Sequence, residues 1–333
     1  MGPGVSPSLM TQAPSGAASP PPNWVESGHP LGWAIDRLLA VEPLRQLLFQ
    51  QARGLIIRTA EGRGIAWRER REQLRVAAEP LLASVIAAAT EAPAYYRARF
   101  HAYDQGNLCW EAACEAEQAT DSMALRVWPQ EPELAPEIAQ ARLRSAIFAA
   151  IEPSLSAPVT RALDMGCSVG VGTLALLDWL EGRGDAAGVA PSVEGLDLSP
   201  QMLAVARVRD PEGRIAAWHH AAAEATGLEG GAYDLITLQF VCHELPAEAT
   251  RAVLREVARL LRPGGVIALV DQDPDSEVIR RLPAPIATLL KSTEPYLEDY
   301  FGLDLPAALA EAGFRDVRRE ACDPRHRVLV ARR

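Results

Sequence analysis

Residues 161–173, RALDMGCSVGVGT, join a short apolar segment to a loop that contains three glycines. Asp164 lies near the end of the apolar segment, and Gly166, Gly170 and Gly172 follow it. The next residues, VGTLALLDWLEGRG, have the composition of a helix. Glycine permits the backbone angles of a tight turn, and it lets a ligand approach the main chain. A strand, a glycine-rich loop and a helix in this order predict the ligand-binding loop of an α/β fold.

Strand and helix patterns alternate from residue 161 to the end of the sequence. Between the strands, QMLAVARVR, AEATRAVLREVARLL and LPAALAEAGF have helical spacing. The segment YDLITLQFV is almost continuously apolar, which indicates a central strand covered on both faces. This alternation predicts an α/β fold with a doubly wound, mostly parallel sheet. The other expected strands are RALDM, SVEGLDLS, IAAWHHA, VIALVDQDP and the terminal RHRVLVARR.

Three regions follow one another along the sequence. Residues 1–23 are rich in Pro, Ser, Gly and Ala and carry no charged side chain, so we expect a disordered tail. Residues 24–155 place apolar side chains three and four positions apart, which predicts a helical region and a candidate lid or cap. The segment EPSLSAPVT ends this helical pattern, and we assign residues 156–333 to the α/β domain.

The composition argues against several classes of function. The 333 residues carry a net charge of −10, which speaks against a nucleic-acid partner. No apolar run approaches the roughly 18–20 residues that span a membrane. The five cysteines are scattered, so we expect no metal site, no disulfide framework and an intracellular location, cytoplasmic by default. A plastid or another organelle stays open as the location, and so does the oligomeric state.

Two ligands fit the loop of residues 161–173. Residues 170–175, GVGTLA, match the G-x-G-x-x-[GA] pattern of nicotinamide and flavin sites, although Gly166 already closes the strand. A pyrophosphate would be repelled by Asp164. S-adenosylmethionine has no phosphate, and Asp164 suits its cationic amino group. Asp197 ends the second strand, where a carboxylate accepts hydrogen bonds from ribose hydroxyls, so the two acids favour S-adenosylmethionine.

Four segments in order resemble the motifs of class I S-adenosylmethionine-dependent methyltransferases: LDMGCSVGVGT, VEGLDLSPQMLAVAR, AEATGLEGGAYDLITLQFVCHEL and LREVARLLRPGGVIALVD. The likeness is to the small-molecule type, near the ubiquinone and menaquinone biosynthesis methyltransferases, and it covers roughly residues 161–333. It implies a seven-stranded Rossmann-like sheet whose last strand is antiparallel. It also implies methyl transfer to a small, apolar or aromatic acceptor. The rivals are a nicotinamide-dependent oxidoreductase and a non-catalytic methyltransferase-like binding or assembly protein.

The resemblance also implies which residues bind the cofactor. Two positions depart from the family pattern: Ser168 replaces the middle glycine of the loop, and alanines stand where relatives often carry an aspartate for the adenine. Glu224 or the backbone must therefore serve the adenine edge. The implied contacts are Asp164, Gly166, Ser168 and Gly170 around the methionine, Asp197 on the ribose, Leu198 and Met202 beside the adenine, and Gln239 after the fourth strand.

Candidates for the acceptor side lie in four places. His243 follows the fourth strand, and it is either a base or orienting group for the acceptor or a structural histidine. Asp271 ends the fifth strand, as an acceptor contact or a turn residue. In the N-terminal region Tyr103, Asn107 and Trp110 are candidates for the acceptor pocket or for domain packing. Tyr296 lies in a second lid candidate after strand five.

Overall fold

The computed structural model describes residues 37, 41–87, 90–98, 103, 105–184 and 189–333. The predicted disordered tail, residues 1–23, lies outside the described residues. In the ranges that are described, no helix combines the length and the apolar character needed to cross a membrane.

The N-terminal region is helical, as predicted. Its longest element after α1 is α4, which begins where the Cys109 side chain accepts a hydrogen bond from the Ala112 amide. Helix α5 begins at Pro136, a residue that suits the first position of a helix. The N-terminal helices are α1 (Glu42–Glu61), α2 (Trp67–Ala78), α3 (Leu82–Val85), α4 (Trp110–Val127) and α5 (Pro136–Ile151), with a 3-10 turn at Ala94–Arg97.

The C-terminal half contains the predicted seven-stranded sheet. Its strand order is β3-β2-β1-β4-β5-β7-β6, with parallel pairing from β3 to β5 and antiparallel pairing of β7 with both neighbours. The strands are β1 (Arg161–Met165), β2 (Ser192–Asp197), β3 (Ala217–His220), β4 (Tyr233–Gln239), β5 (Leu261–Gln272), β6 (Arg315–Ala321) and β7 (His326–Arg332).

Helices cover both faces of the sheet. Alternate residues of β1 point to opposite sides, so Ala162 joins one buried apolar cluster and Leu163 joins the other. Ser199 caps helix α7, and Pro200 occupies its first turn, as the sequence predicts. These helices are α6 (Val171–Gly182), α7 (Pro200–Arg209), α8 (Ala247–Leu260), α9 (Glu277–Arg280), α10 (Ala284–Thr293), α11 (Leu297–Gly302) and α12 (Leu305–Glu311).

The strand order reverses between β1 and its neighbours β2 and β4. Strand β1 pairs in parallel with both, and the crossover helices leave in opposite directions at this point. In open parallel sheets, the crevice beyond the carboxyl ends of such strands is where ligands bind. The fold therefore directs the loops after β1, β2 and β4 toward one crevice.

Candidate functional site

A cavity of about 660 Å³ lies at the carboxyl ends of the strands. The loops after β1, β2 and β4 form one side of it, and residues of α1, α4, α5 and α10 form the other. Eleven of the residues predicted for the site line this cavity: Asp164, Gly166, Ser168, Asp197, Leu198, Met202, Glu224, Gln239, His243, Tyr103 and Asn107. Four described residues predicted for the site do not line it: Gly170, Trp110, Asp271 and Tyr296.

Asp164 is the centre of a buried polar network at the end of β1. Its carboxylate accepts hydrogen bonds from the Thr173 hydroxyl at 2.8 Å, the Thr237 hydroxyl at 2.7 Å and the Gln239 amide at 3.1 Å. Burial raises its pKa, and the hydrogen bonds and the charge of Arg144 oppose that rise only in part. A further positive charge beside Asp164 would therefore stabilise the ionised form of its carboxylate.

Arg144 is a member of this network that the sequence prediction missed. Its Nη1 donates to Gln239 Oε1 at 2.5 Å, whereas its buried Nε has no hydrogen-bond partner among the residues that the structure describes. Burial lowers its pKa to about 10, with Asp164 acting in the opposite direction. The sequence contains a pattern that indicates its role, because Arg144 lies on the buried face of α5 with Leu143, Ile147 and Phe148. An arginine among apolar core positions usually has a functional partner.

The loop after β1 comes close to other parts of the site. Gly166 has a φ of +74°, and a Cβ atom there would lie 2.5 Å from Cγ2 of Val241. Ser168 also has a positive φ, +50°, and its amide donates to Asp197 Oδ2 at 2.8 Å. The Ser168 hydroxyl lies 3.4 Å from the sulfur of Met202. The serine that replaces a glycine thus joins the loop to β2 and α7.

Gly170 packs closely against a tryptophan. It has a φ of +78° at the start of α6, and a Cβ atom there would lie only 2.6 Å from Cη2 of Trp218. The missing side chain of Gly170 therefore makes room for the Trp218 ring, and its contact with the methionine end of the cofactor stays a prediction.

Asp197 ends β2 as a second buried carboxylate. Its Oδ1 accepts the Ser199 amide at 2.8 Å, and Oδ2 accepts the Ser168 amide. Burial raises its pKa to about 6 although these amides act against the rise. Each oxygen retains capacity for another hydrogen bond, and the residue lines the cavity.

Glu224 is held by the N-terminal region. The Tyr95 hydroxyl donates to Glu224, and Tyr96 beside it also lines the cavity. Tyr296 lies outside the lining: its hydroxyl donates to the Tyr95 carbonyl oxygen at 3.2 Å, and the two rings meet edge to face at 6.1 Å. Tyr296 thus contacts Tyr95, which lines the cavity, and the role of Tyr296 in a lid stays a prediction.

His243 and Asp271 form a hydrogen-bonded pair. His243 Nδ1 lies 2.8 Å from Asp271 Oδ1, and the His243 amide donates to Asp271 Oδ2 at 3.1 Å. Burial lowers the pKa of His243, but the charge and hydrogen bond of Asp271, with the charges of Glu294 and Glu244, raise it to about 9. Asp271 itself does not line the cavity. Its carboxylate is hydrogen-bonded to His243, and a contact of Asp271 with the acceptor stays a prediction.

Of the three N-terminal candidates, Tyr103 and Asn107 line the cavity and Trp110 does not. The Tyr103 hydroxyl donates to Glu115 at 2.7 Å, and Asn107 donates to Glu244 at 2.7 Å. Trp110 lies instead under the guanidinium of Arg75, whose carbon is 4.5 Å from the ring centroid. This contact corresponds to the packing alternative for Trp110, and a place of its ring in the acceptor pocket stays a prediction.

Comparisons with known proteins agree with this geometry. Residues 163–269 match the model of a methyltransferase domain. The chain is 30% identical over 162 residues to an uncharacterized methyltransferase of Synechocystis, and the match covers 49% of this chain and 70% of that protein. The chain belongs to the class I S-adenosylmethionine-dependent methyltransferases. Its cofactor is S-adenosylmethionine, so the predictions of family, fold class and cofactor are confirmed, and the nicotinamide alternative is rejected.

Two further relatives of this methyltransferase have names that state an activity. A demethylmenaquinone methyltransferase of Bacillus licheniformis is 31% identical over 115 residues, which is 34% of this chain and 46% of that one. A ubiquinone biosynthesis O-methyltransferase of Burkholderia vietnamiensis is 29% identical over 161 residues, which is 48% of this chain and 57% of that one. The chain thus spans about half the length of these two relatives.

Proposed function

We propose that this methyltransferase holds its cofactor at the β1–β2 end of the cavity and methylates a small, apolar or aromatic acceptor at the β4–β5 end. Bound S-adenosylmethionine supplies a methyl group made electrophilic by the positive sulfur. The observation that carries the proposal is a buried carboxylate at the end of each of two neighbouring strands, Asp164 and Asp197, both lining one cavity. One carboxylate suits the cationic end of the cofactor, and the other suits the diol of its ribose.

The methionine end of the cofactor meets Asp164 and Arg144 in this proposal. An ammonium group beside Asp164 would offset the burial that raises its pKa. Arg144 has a buried Nε without a partner, which suits a carboxylate. Gln239 bridges the two side chains, and it fixes their relative position. Gly166 and Ser168 leave space for the methionine carbon atoms that carry the ammonium and carboxylate groups.

Asp197 is assigned to the ribose, because each of its oxygens keeps a free lone pair beside the cavity. Leu198 and Met202 supply apolar surface for the adenine. Glu224 serves the adenine edge, where the Tyr95 hydroxyl orients its carboxylate.

His243 is assigned as the base or orienting group for the acceptor. It lines the cavity on the β4 side, and Asp271 fixes its ring through Nδ1, which leaves Nε2 for a ligand. Asp271 is a positioning residue in this scheme. Phe240, Leu282 and Leu289 also line the cavity, and they give this end an apolar character. The protein aligns the acceptor for in-line displacement and excludes water.

A label-transfer assay tests the proposal. The protein is incubated with methyl-labelled S-adenosylmethionine and a panel of small phenols, catechols and quinols, and labelled product is counted. We expect transfer to at least one of them, and His243→Ala should lower its rate by about 100-fold. The affinity for S-adenosylhomocysteine should be the same in both proteins. If His243→Ala transfers as fast as the wild type, the assignment of His243 is wrong.

The pH dependence of the same reaction tests the pair of His243 and Asp271. A base must be neutral to accept a proton, so with a pKa of about 9 the rate should rise with pH up to that value. Asp271→Asn removes the charge that raises the pKa, and the rise should then occur at lower pH with the same acceptor. An unchanged profile would show that His243 does not titrate in the reaction.

A further inference from the structure

Helix α4 presents one continuous face to the cavity. Residues three and four positions apart on it line the cavity, and the series ends with Met123 and Arg126. Ala112 begins this face, and Glu115, one turn later, is paired with Arg53 and Arg71. After this neutralised acid the face continues mainly through small and apolar residues, and it ends with a guanidinium.

The guanidinium of Arg126 has no acidic partner in the part of the chain that the structure describes. Its Nε donates to the Ser122 carbonyl oxygen at 3.2 Å, one turn earlier in the helix. Arg126 is accessible to solvent, but the protein around its guanidinium removes part of the hydration of the charged group, and this desolvation lowers its pKa. Such a guanidinium retains most of its donors for a ligand in the cavity.

Arg325 brings a second guanidinium to the same cavity. It precedes β7, whose first residue, His326, pairs with Gln272 at the carboxyl end of β5. Its Nη2 lies 3.4 Å from Gln272 Oε1. Burial lowers its pKa, and so does the nearby charge of Arg126, while Asp323 acts in the opposite direction. Arg126 and Arg325 thus line the same cavity, where their like charges repel each other.

The acids near these two arginines have other partners. Asp323 accepts hydrogen bonds from the Arg325 and His326 amides at 2.7 and 2.9 Å, and its other oxygen lies 2.8 Å from His326 Nδ1. Among the described residues, neither Arg126 nor Arg325 forms an ion pair. Each guanidinium therefore keeps N–H donors that an anion in the cavity would accept, and such an anion would also reduce the repulsion between the two positive charges.

We propose that Arg126 and Arg325, here called the arginine pair, bind an anionic group, a carboxylate or a phosphate, on the methyl acceptor. The inference rests on the proposed function, and it narrows the acceptor to an apolar body with an acidic group. Met123 on the same face of α4, and Ile286 and Leu289 of α10, supply apolar surface in the cavity. Bidentate guanidinium contacts to either anion supply the orientation.

The test uses three ligands that share one bicyclic body: 2-naphthoate, 2-naphthyl phosphate and the neutral 2-naphthol. Each is titrated calorimetrically into protein saturated with S-adenosylhomocysteine. We expect at least one anion to bind about tenfold more tightly than 2-naphthol, a difference of about 1.4 kcal/mol. The stronger of the two anions identifies a carboxylate or a phosphate as the acceptor group. Equal binding of all three ligands to the wild type would overturn the proposal without any variant.

Variants then test which residues cause the preference for the anion over 2-naphthol. In Arg126→Gln/Arg325→Gln the preference for the anion should fall to within about twofold, whereas Arg126→Lys/Arg325→Lys should keep part of it. Arg142→Gln is the matched control, since Arg142 pairs with Glu131 at the surface and does not line the cavity. A full preference in the Gln variant would overturn the proposal. Binding of S-adenosylhomocysteine is measured first, so failure of the cofactor site is distinguished from failure of the arginine pair.

Discussion

Asp164 and Asp197 show how far single residues can be interpreted from the sequence. Their positions at strand ends follow from the apolar pattern, and both carboxylates line the cavity. Their environments do not follow from it, because Thr173, Thr237 and Gln239 come from three other places in the chain. Burial raises the pKa of both acids, which only the assembled fold determines.

Two predicted site residues that do not line the cavity have one feature in common. Asp271 precedes the cavity residue Gln272, and Trp110 stands two positions before Ala112, but their side chains face His243 and Arg75. A one-residue difference in position on a helix or strand turns a side chain to another face, and sequence spacing alone does not fix that face where packing decides it.

Gly170 gives a prediction at this scale. Gly170→Ala adds a methyl group at a positive φ and against the Trp218 ring, so the free energy of unfolding should fall by about 2–5 kcal/mol. Urea denaturation measures the change. The affinity of the folded protein for S-adenosylhomocysteine should stay within about twofold, since Gly170 does not line the cavity.

Gly213→Ala is the matched control for this change. Gly213 has a φ of +65°, and nothing lies within 4 Å of the position where its Cβ would stand. Gly213→Ala should therefore lower the free energy of unfolding only by the cost of a side chain at positive φ, about 1–2 kcal/mol. Equal losses in the two variants would contradict the packing role of Gly170.

At the scale of elements, β6 is the strand that the sequence patterns did not predict. Its residues, RDVRREA, are mostly exposed and charged, because it is the edge strand of the sheet. Charged side chains on an edge strand prevent pairing with other chains, and they also remove the apolar alternation by which strands are recognised. The other six strands carry buried side chains or, in β3, half-buried ones, and their sequences predict them.

The 3-10 turn Ala94–Arg97 joins three parts of the molecule. Tyr95 contacts Glu224 after β3 through its hydroxyl, and its carbonyl oxygen accepts from Tyr296 before α11. We expect Tyr95→Phe to raise the dissociation rate of S-adenosylhomocysteine about three- to tenfold, because Glu224 loses its partner beside the cavity. Stopped-flow displacement measures this rate.

Tyr296→Phe is the comparison for this element. It removes a hydroxyl that donates to the same turn but does not line the cavity, so the dissociation rate should change less than twofold. A larger effect from Tyr296→Phe than from Tyr95→Phe would contradict the assignment of Glu224 to the adenine edge.

For the molecule as a whole, the sequence predicts the seven-stranded sheet and its family but only half of the cavity. The loops after β1, β2 and β4 follow from the strand pattern and the topology. The opposite wall comes from α1, α4, α5 and α10, and their cavity faces depend on how helices far apart in the sequence pack. Arg126 and Arg144 belong to that wall, so their proximity to the sheet could not be predicted from spacing.

The central claim is that this cavity binds S-adenosylmethionine with Asp197 on its ribose. Calorimetric titration with S-adenosylhomocysteine of the wild type, Asp197→Ala and Asp210→Ala tests it. Asp210 is the matched control, since it also accepts two backbone amides, those of Arg214 and Ile215, but does not line this cavity.

We predict micromolar affinity in the wild type, a loss of about tenfold or more in Asp197→Ala, and no change in Asp210→Ala. Absence of micromolar binding to the wild type, or equal affinity in the wild type and Asp197→Ala, would contradict the account.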